Sequence, residues 1–486
     1  MTARRSGEPS QSIVFGVALF AAAFALRFLV ARLVAGEPVW DGHYYDFGAH
    51  RIAEGHGYSD DRVVAGVTEW HPWCHYPVGY SAFLAAFYVV LGAHAWVTHL
   101  ANALTGAGLA VVVWLLGREA MSEGRARVGG VLVALHPGLV LYGALVMGEL
   151  VSALSTMAAF WLAMFLARRT SPLWAVAASA FVLGLGALVR PQALLCAPFL
   201  GLVVGLERRA WKAWLVSAVV ACMVALVPVV PWTARNCRVM DGCALVSTNA
   251  GWNLAIGAFP RATGRFETLR SSDGCSEVTG QVQQDRCWLH YGVANILATP
   301  GRWLGLIPAK LGNTFDHESF AVEYLHEARP DEWPDDRRAR WRGALSWLHR
   351  ALLGVAGLAF VARRGRVQVA VAGVIAIAWL LGASASPSIG PTFWPLVVIV
   401  SVLAVLPLPG RPAPRVALLL PIALLATTAL THAVFFGDDR YHMVITPALC
   451  LYAAAALRRP QNTHGAKTGE VGAPRSKAQA TDAVLP

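Results

Sequence analysis

Apolar stretches recur along the whole chain, at 11–34, 96–117, 128–147, 149–167, 172–189, 192–206, 213–231, 344–362, 367–384, 392–406, 416–436 and 442–457. Many approach the ~20 residues an α-helix needs to cross a bilayer. They predict an all-α polytopic membrane protein of about twelve transmembrane helices, with 1–457 as one transmembrane domain. Residues 79–94 are also apolar but shorter, and another apolar run follows at once. If both crossed, the arginines of 118–127 would change sides, so 79–94 is predicted to lie in the interface or to re-enter. Two large polar segments remain, a first loop that reaches 35–94 with its interfacial helix and a second at 232–343. Both are predicted to be extracytoplasmic. No internal repeat is visible, which argues against a transporter built from paired halves.

Composition agrees with this pattern. The 486 residues are 56% hydrophobic and 14% charged, against about 25% charged in soluble domains. The net charge of +11 resolves into short clusters between apolar runs: Arg4 and Arg5, Arg125 and Arg127, Arg168 and Arg169, Arg208 and Arg209, Arg363 to Arg366, and Arg458 and Arg459. That is a positive-inside pattern, which sets orientation. It predicts cytoplasmic termini and a multi-pass protein, and the Ala, Arg and Val abundance points to a bacterial inner membrane. Residues 458–486 are predicted to be a disordered cytoplasmic tail. No basic patch interleaved with aromatics appears, so nucleic acid is excluded as a partner. The first apolar run lacks a small-residue cleavage site and is read as a helix, not a signal peptide.

Of eight cysteines, Cys196, Cys222 and Cys450 fall in spans and five fall in the outward segments. Cys237 with Cys243, and Cys275 with Cys287, are local disulfide candidates in an oxidising compartment. Cys74 is then left over, and spacing alone does not fix connectivity.

The first loop carries the densest chemistry. Asp41 follows the first span closely, so it is predicted to sit at the membrane surface, partly desolvated. Desolvation raises a carboxylate towards neutrality and favours a general base. A solvated loop aspartate, or an N-cap for a helix over 42–54, is the competing reading. His43, His50, His56, His71 and His75 cluster in the same loop. His71 and His75 are spaced as helical metal ligands, although Pro72 between them weakens a helix.

Several motifs occur in a fixed order: Asp41 just past the first span, Tyr44 and Tyr45, Gly57-Tyr58, Tyr76-Pro77-Val78-Gly79-Tyr80, Gly148-Glu149, Arg190-Pro191, Pro231 to Asn236, Ser247 to Leu254, and Arg440-Tyr441 with Pro447. This ordered set resembles the GT-C glycosyltransferases, in particular the protein O-mannosyltransferase and lipid A aminoarabinose transferase group. The chain departs from the group in having Asp41-Gly42 where Asp-Glu is frequent, with Asp46 as a substitute second acid, and Val78 where the group has proline.

The resemblance implies a GT-C fold and transfer of a monosaccharide from a polyprenyl-phosphate donor to a lipid, glycan or protein hydroxyl on the outer face. Asp41 would be the base. A departing phosphate is best met by arginine, whose planar fork binds its oxygens in pairs. The candidates are Arg440 and Arg190 at span ends, then Arg261 and Arg265, with Asp438 and Asp439 to orient Arg440. Arg235 is expected to anchor a span end beside Trp232. Substrate contacts are expected from Tyr45, Tyr76, Tyr80, Glu149, Trp252, Asn253 and Tyr441. The group has metal-using and metal-free members, so no cofactor is assigned and a divalent ion stays open. The rival reading is a transporter or lipid flippase, which would want ionisable residues in mid-span. Here they concentrate at outer ends and in outward loops.

Overall fold

The computed structural model describes residues 9–204, 211–361, 366–384, 392–405 and 416–457. The arginines at 4–5, 208–209, 363–364 and 458–459 and the tail 458–486 lie outside the described residues.

Every predicted apolar run carries helix, but not every run is a full-length span. Among the described residues, four helices are long and apolar enough to cross a membrane: α1 (Pro9–Val34), α4 (Ala95–Ala120), α7 (Glu149–Leu166) and Val416–Val434. Two further runs qualify only as bent pairs. One is α5 (Glu123–Leu135) with Pro137–Ala144, which begins with α6 (Pro137–Leu141), bent by 52°, and the other is Trp211–Leu226 with Val230–Val239, bent by 47°. Others, such as α8 (Pro172–Ala187), Trp394–Val405 and Thr446–Ala456, are shorter apolar helices. Proline explains much of the difference. Pro137 and Pro231 each stand at the first turn of the helix after a bend, where a missing N–H and ring clash break the preceding ladder.

At the first bend a buried arginine repairs the loss. Val133 would bond the N–H of residue 137, which proline lacks. Arg27, fully buried in α1, donates instead, from Nη2 to Val133 O at 2.7 Å and from Nη1 to Ala134 O at 2.9 Å. This fastens α1 to the break, as buried backbone at membrane depth requires.

The predicted all-α class needs one correction. After α2 (Asp41–Ala53) the first loop forms a hairpin of β1 (Ser59–Val64) and β2 (Val67–Pro72), with Val64 opposite Val67. Ala65 and Gly66 turn it, with φ of 51° and 80°, as two-residue hairpin loops demand. The apolar run 79–94 is α3 (Val78–Leu91).

The segments 35–94 and 232–343 are knitted together. Arg235 donates to Trp73 O at 3.0 Å and Tyr58 O at 2.7 Å, and Gln281 Oε1 accepts from the Cys74 N–H at 2.9 Å. Disulfides join Cys237 to Cys243 and Cys275 to Cys287, and Cys74 is buried and free. A small apolar core around Trp288, Phe259 and Phe436 holds the second segment together beside the main helical core.

Candidate active site

Asp41 is the first residue of α2, and Trp40 before it is the cap. Trp40 takes φ 51°, uncommon for a bulky residue, and its ring packs on Phe320 and Tyr324. The capping reading of Asp41 does not hold, because its carboxylate is engaged elsewhere. Oδ1 accepts from the Tyr76 hydroxyl at 2.9 Å, and Oδ2 forms an ion pair with Arg440. The Asp41 side chain is 21% exposed and that of Arg440 15%.

Arg440 sits in a short 3-10 turn, Asp439–Val444, that leads into the last described helix. Its backbone N–H donates to Asp438 Oδ1 at 3.1 Å, and its Nη2 donates to the Tyr441 hydroxyl at 3.0 Å. The guanidinium also lies over the Phe320 and Tyr441 rings. Asp439 does not orient Arg440. It accepts from the backbone N–H groups of Ser319 and Phe320, and so fixes Phe320 beneath the arginine.

Arg190, just past the end of α8, pairs with Glu149 at the start of α7. Its guanidinium lies 5.2 Å from the Tyr441 ring centroid, and that of Arg440 lies 4.9 Å from it. Asp41, Arg440, Tyr441, Arg190 and Glu149 therefore form one connected chain, two ion pairs whose guanidiniums meet across a single ring. Such a chain neutralises itself at rest and holds two cations that an incoming anion can recruit.

The charges shift one another. Burial would raise the Asp41 carboxyl, but Arg440, the Tyr76 hydrogen bond and Arg190 together outweigh it and hold it below the usual carboxylate range. The sequence-based expectation of an Asp41 raised towards neutrality is therefore corrected: desolvation acts, and a guanidinium in direct contact overrides it. Burial pushes Asp438 up to about 6, with Arg440 opposing and Asp439 reinforcing. Burial holds the His75 imidazole below its ordinary value.

The remaining candidates divide. Tyr45 is buried against Tyr76 and Tyr80, close enough for Asp41, Arg190 and Glu149 to act on its hydroxyl. Tyr80 is fully buried, and its hydroxyl donates to Asn102 Oδ1 at 2.9 Å, which commits it to packing α3 on α4. Asp46 is not brought to Asp41's partners. Five positions on along α2, it accepts from the Tyr88 hydroxyl and faces His50. Trp252 and Asn253 share the helix Ala250–Ala258, where Trp252 packs on His75 and Trp288. Arg261 is exposed and forks onto Asp273, with N–O distances of 3.1 and 2.8 Å. Arg265 pairs with Glu267 and is open to solvent, although its backbone bridges to Gly437. Neither is in the charge chain. The helical-ligand spacing of His71 and His75 is overturned, because His71 lies on β2 and Pro72 ends the strand.

Phe320 and Tyr324, missed in the sequence, frame the site. Tyr324 also explains Gly42. A Cβ there would fall 2.2 Å from the Tyr324 hydroxyl and 3.0 Å from Val146 O, so no side chain fits beside Asp41. The place where the resembling group often has glutamate is filled by a phenol from the segment 232–343.

Residues 75–232 match the sequence model of a family described as dolichyl-phosphate-mannose-protein mannosyltransferase. The resemblance to the GT-C glycosyltransferases holds. This family match takes in Tyr76, Glu149 and Arg190, while Asp41 and Arg440 lie outside it. No curated protein matches the chain. Among solved structures, the chain is similar to the Archaeoglobus fulgidus oligosaccharyltransferase tethered with an acceptor peptide, at 15% identity and TM-score 0.45, over 92% of this chain and 49% of that one. It is also similar to ArnT from Cupriavidus metallidurans bound to undecaprenyl phosphate, at 16% identity and TM-score 0.37, over 88% and 77%. The chain thus spans about half the length of the archaeal enzyme.

Proposed function

We propose that the chain is a membrane glycosyltransferase that moves a monosaccharide from a polyprenyl-phosphate donor to a lipid, glycan or protein hydroxyl. The transfer occurs at the extracytoplasmic face of a bacterial inner membrane. About twelve crossings, the short helices included, would put both outward segments on that face. The observation that carries the reading is the pairing of Asp41 with Arg440 beside a second pair, Arg190 with Glu149, around Tyr441. The family match over 75–232 supports the donor class.

The pairing supplies both chemical needs of the reaction. At rest Asp41 is a carboxylate covered by Arg440. A donor phosphate offers Arg440 two oxygens in the plane of its fork. Once Arg440 turns to the phosphate, burial becomes the main influence on Asp41 and its carboxyl rises, which makes it a better base near neutral pH. Asp41 then takes the proton of the acceptor hydroxyl as that oxygen attacks the anomeric carbon. The bond from that carbon to the phosphate oxygen breaks, and the polyprenyl phosphate leaves with Arg440 and Arg190 facing its charge. Tyr45 and Tyr76 border this space, and Trp252 packs on His75, which packs on Tyr76.

The test is transfer of radiolabelled sugar from a panel of polyprenyl-phosphate donors to membrane acceptors, with wild type and Asp41→Asn compared. Transfer by wild type and a loss of at least ~100-fold in the variant is expected. Equal transfer by both sinks the base assignment, and no transfer by wild type from any donor sinks the activity.

A further inference from the structure

We propose that Glu318, His349 and His442 form a buried binding site for a single zinc-type divalent cation, which holds Arg440 in place from below. The three residues come from three separate parts of the chain: the turn after Ile307–Phe315, the helix Asp335–Gly357, and the 3-10 turn that carries Arg440. All three are buried, and one ligand atom from each lies within 4.8 Å of the others. Tetrahedral zinc with bonds of about 2.0–2.2 Å spaces its ligands by about 3.4 Å, so the set closes when the stacked His349 and His442 rings, with centroids 4.0 Å apart, rotate to aim their free nitrogens at one point.

The hydrogen bonds decide which ring nitrogens are available. His442 Nδ1 lies 2.8 Å from Thr314 O, and His349 Nε2 lies 3.0 Å from Phe315 O. A carbonyl oxygen only accepts, so each of these nitrogens carries the proton. His442 Nε2 and His349 Nδ1 are left with lone pairs, and neither has a hydrogen-bond partner among the described residues. Both Glu318 carboxylate oxygens are likewise buried without a hydrogen bond. Two imidazole lone pairs and a carboxylate that share a buried space repel one another unless a proton or a metal cation lies between them. Imidazoles oriented by backbone carbonyls are the usual outer support of metal-bound histidine, and two histidines with one carboxylate are an N/O set suited to zinc. The helix Pro137–Leu141 walls the carboxylate closely, since any side chain at Gly138 would collide with Glu318.

The position gives the cation its purpose. His442 is two residues from Arg440, and Glu318 precedes Ser319 and Phe320, whose N–H groups bind Asp439. One ion would therefore tie both walls of the Arg440 turn to the helix Asp335–Gly357. The cation site stands whether or not the chain transfers a sugar.

The experiment is metal analysis of the full chain, purified in detergent with an affinity tag that binds no metal, alongside Glu318→Gln, His349→Gln and His442→Gln. About one zinc per chain is expected in wild type, falling at least ~5-fold in each variant, while His71→Ala and His75→Ala keep it. X-ray absorption at the zinc edge of wild type is expected to show two imidazoles and an oxygen shell, a readout that needs no variant to fold. Wild type without metal after dialysis against zinc overturns the site. So does zinc retained in full by the three variants, or an absorption spectrum with sulfur ligands; a proton shared between His442 and Glu318, which lie 3.5 Å apart, would then account for the cluster.

Discussion

Asp41 and Arg440 lie 399 residues apart in the chain and form an ion pair at the junction of the first polar loop with the last helical segment. The contact closes the ends of the described fold on each other. It also sets the state of the carboxylate on which the proposed chemistry depends.

Removing the guanidinium is expected to reverse the pH response of stability. In wild type the folded Asp41 titrates below its ordinary value, so its stabilising contribution is present above the unfolded value of about 3.9 and is lost as pH falls through the folded one. In Arg440→Gln burial is opposed only by the Tyr76 hydrogen bond and the more distant Arg190, and the folded carboxyl rises. Stability then falls as pH climbs from about 4 towards 7, and the cost near neutrality is about 3 kcal/mol. Thermal melting across that range checks this, and Asp41→Asn/Arg440→Gln is expected to flatten the dependence. A single variant as flat as the double would mean that Asp41 does not feel Arg440.

Gly42 and Tyr324 make a second, steric prediction. Gly42→Ala drives a Cβ into the Tyr324 hydroxyl and is expected to cost about 1–3 kcal/mol and to lower transfer by displacing Asp41. Tyr324→Phe removes the oxygen in the way, so Gly42→Ala/Tyr324→Phe is expected to recover part of the loss. Melting temperatures of the four proteins check it, and strict additivity of the two changes would refute the contact.

How much of this was legible beforehand differs by feature. Hydropathy located the helices to within a few residues because burial in an apolar medium is a property of composition, as α1, α4 and α7 show. It did not locate the bends at Pro137 and near Pro231, since an apolar run reads alike whether straight or broken. The hairpin Ser59–Pro72 was missed because its strands carry four charged residues and little apolar alternation. Asp41, Arg190 and Arg440 could be picked out individually, because ionisable residues at span ends are costly. Their mutual pairing could not, and that pairing reversed the direction expected for Asp41. Glu318, His349 and His442 gave no local spacing signal, for they converge only in three dimensions.

Arg27 is expected to be structural. Arg27→Met keeps an apolar stem but removes the donors to Val133 O and Ala134 O. Two buried carbonyls are left unpaired beside Pro137, at roughly 1–3 kcal/mol each. The midpoint of thermal unfolding in detergent should drop by several degrees, with donor KM unchanged in whatever remains folded. A changed KM at unaltered stability would assign Arg27 to ligand binding.

Tyr441 separates two roles for the ring between the arginines. Tyr441→Phe keeps both faces and loses only the hydroxyl that accepts from Arg440 Nη2 at 3.0 Å, which is worth about 1 kcal/mol. Transfer efficiency is then expected to fall less than ~10-fold. Tyr441→Leu removes the ring itself, including its contacts with Arg190 and Arg440 and its stack with His432 at 3.9 Å. Each cation–π contact desolvated to this degree is worth about 1–2 kcal/mol, and without the spacer the two guanidiniums also repel. A fall of about 100-fold in kcat/KM is expected, largely in donor KM, because both cations are assigned to the donor phosphate. Kinetics with varied donor at fixed acceptor check the split. If Tyr441→Leu raises acceptor KM and leaves donor KM alone, the ring lines the acceptor path and the two arginines do not act together on the phosphate.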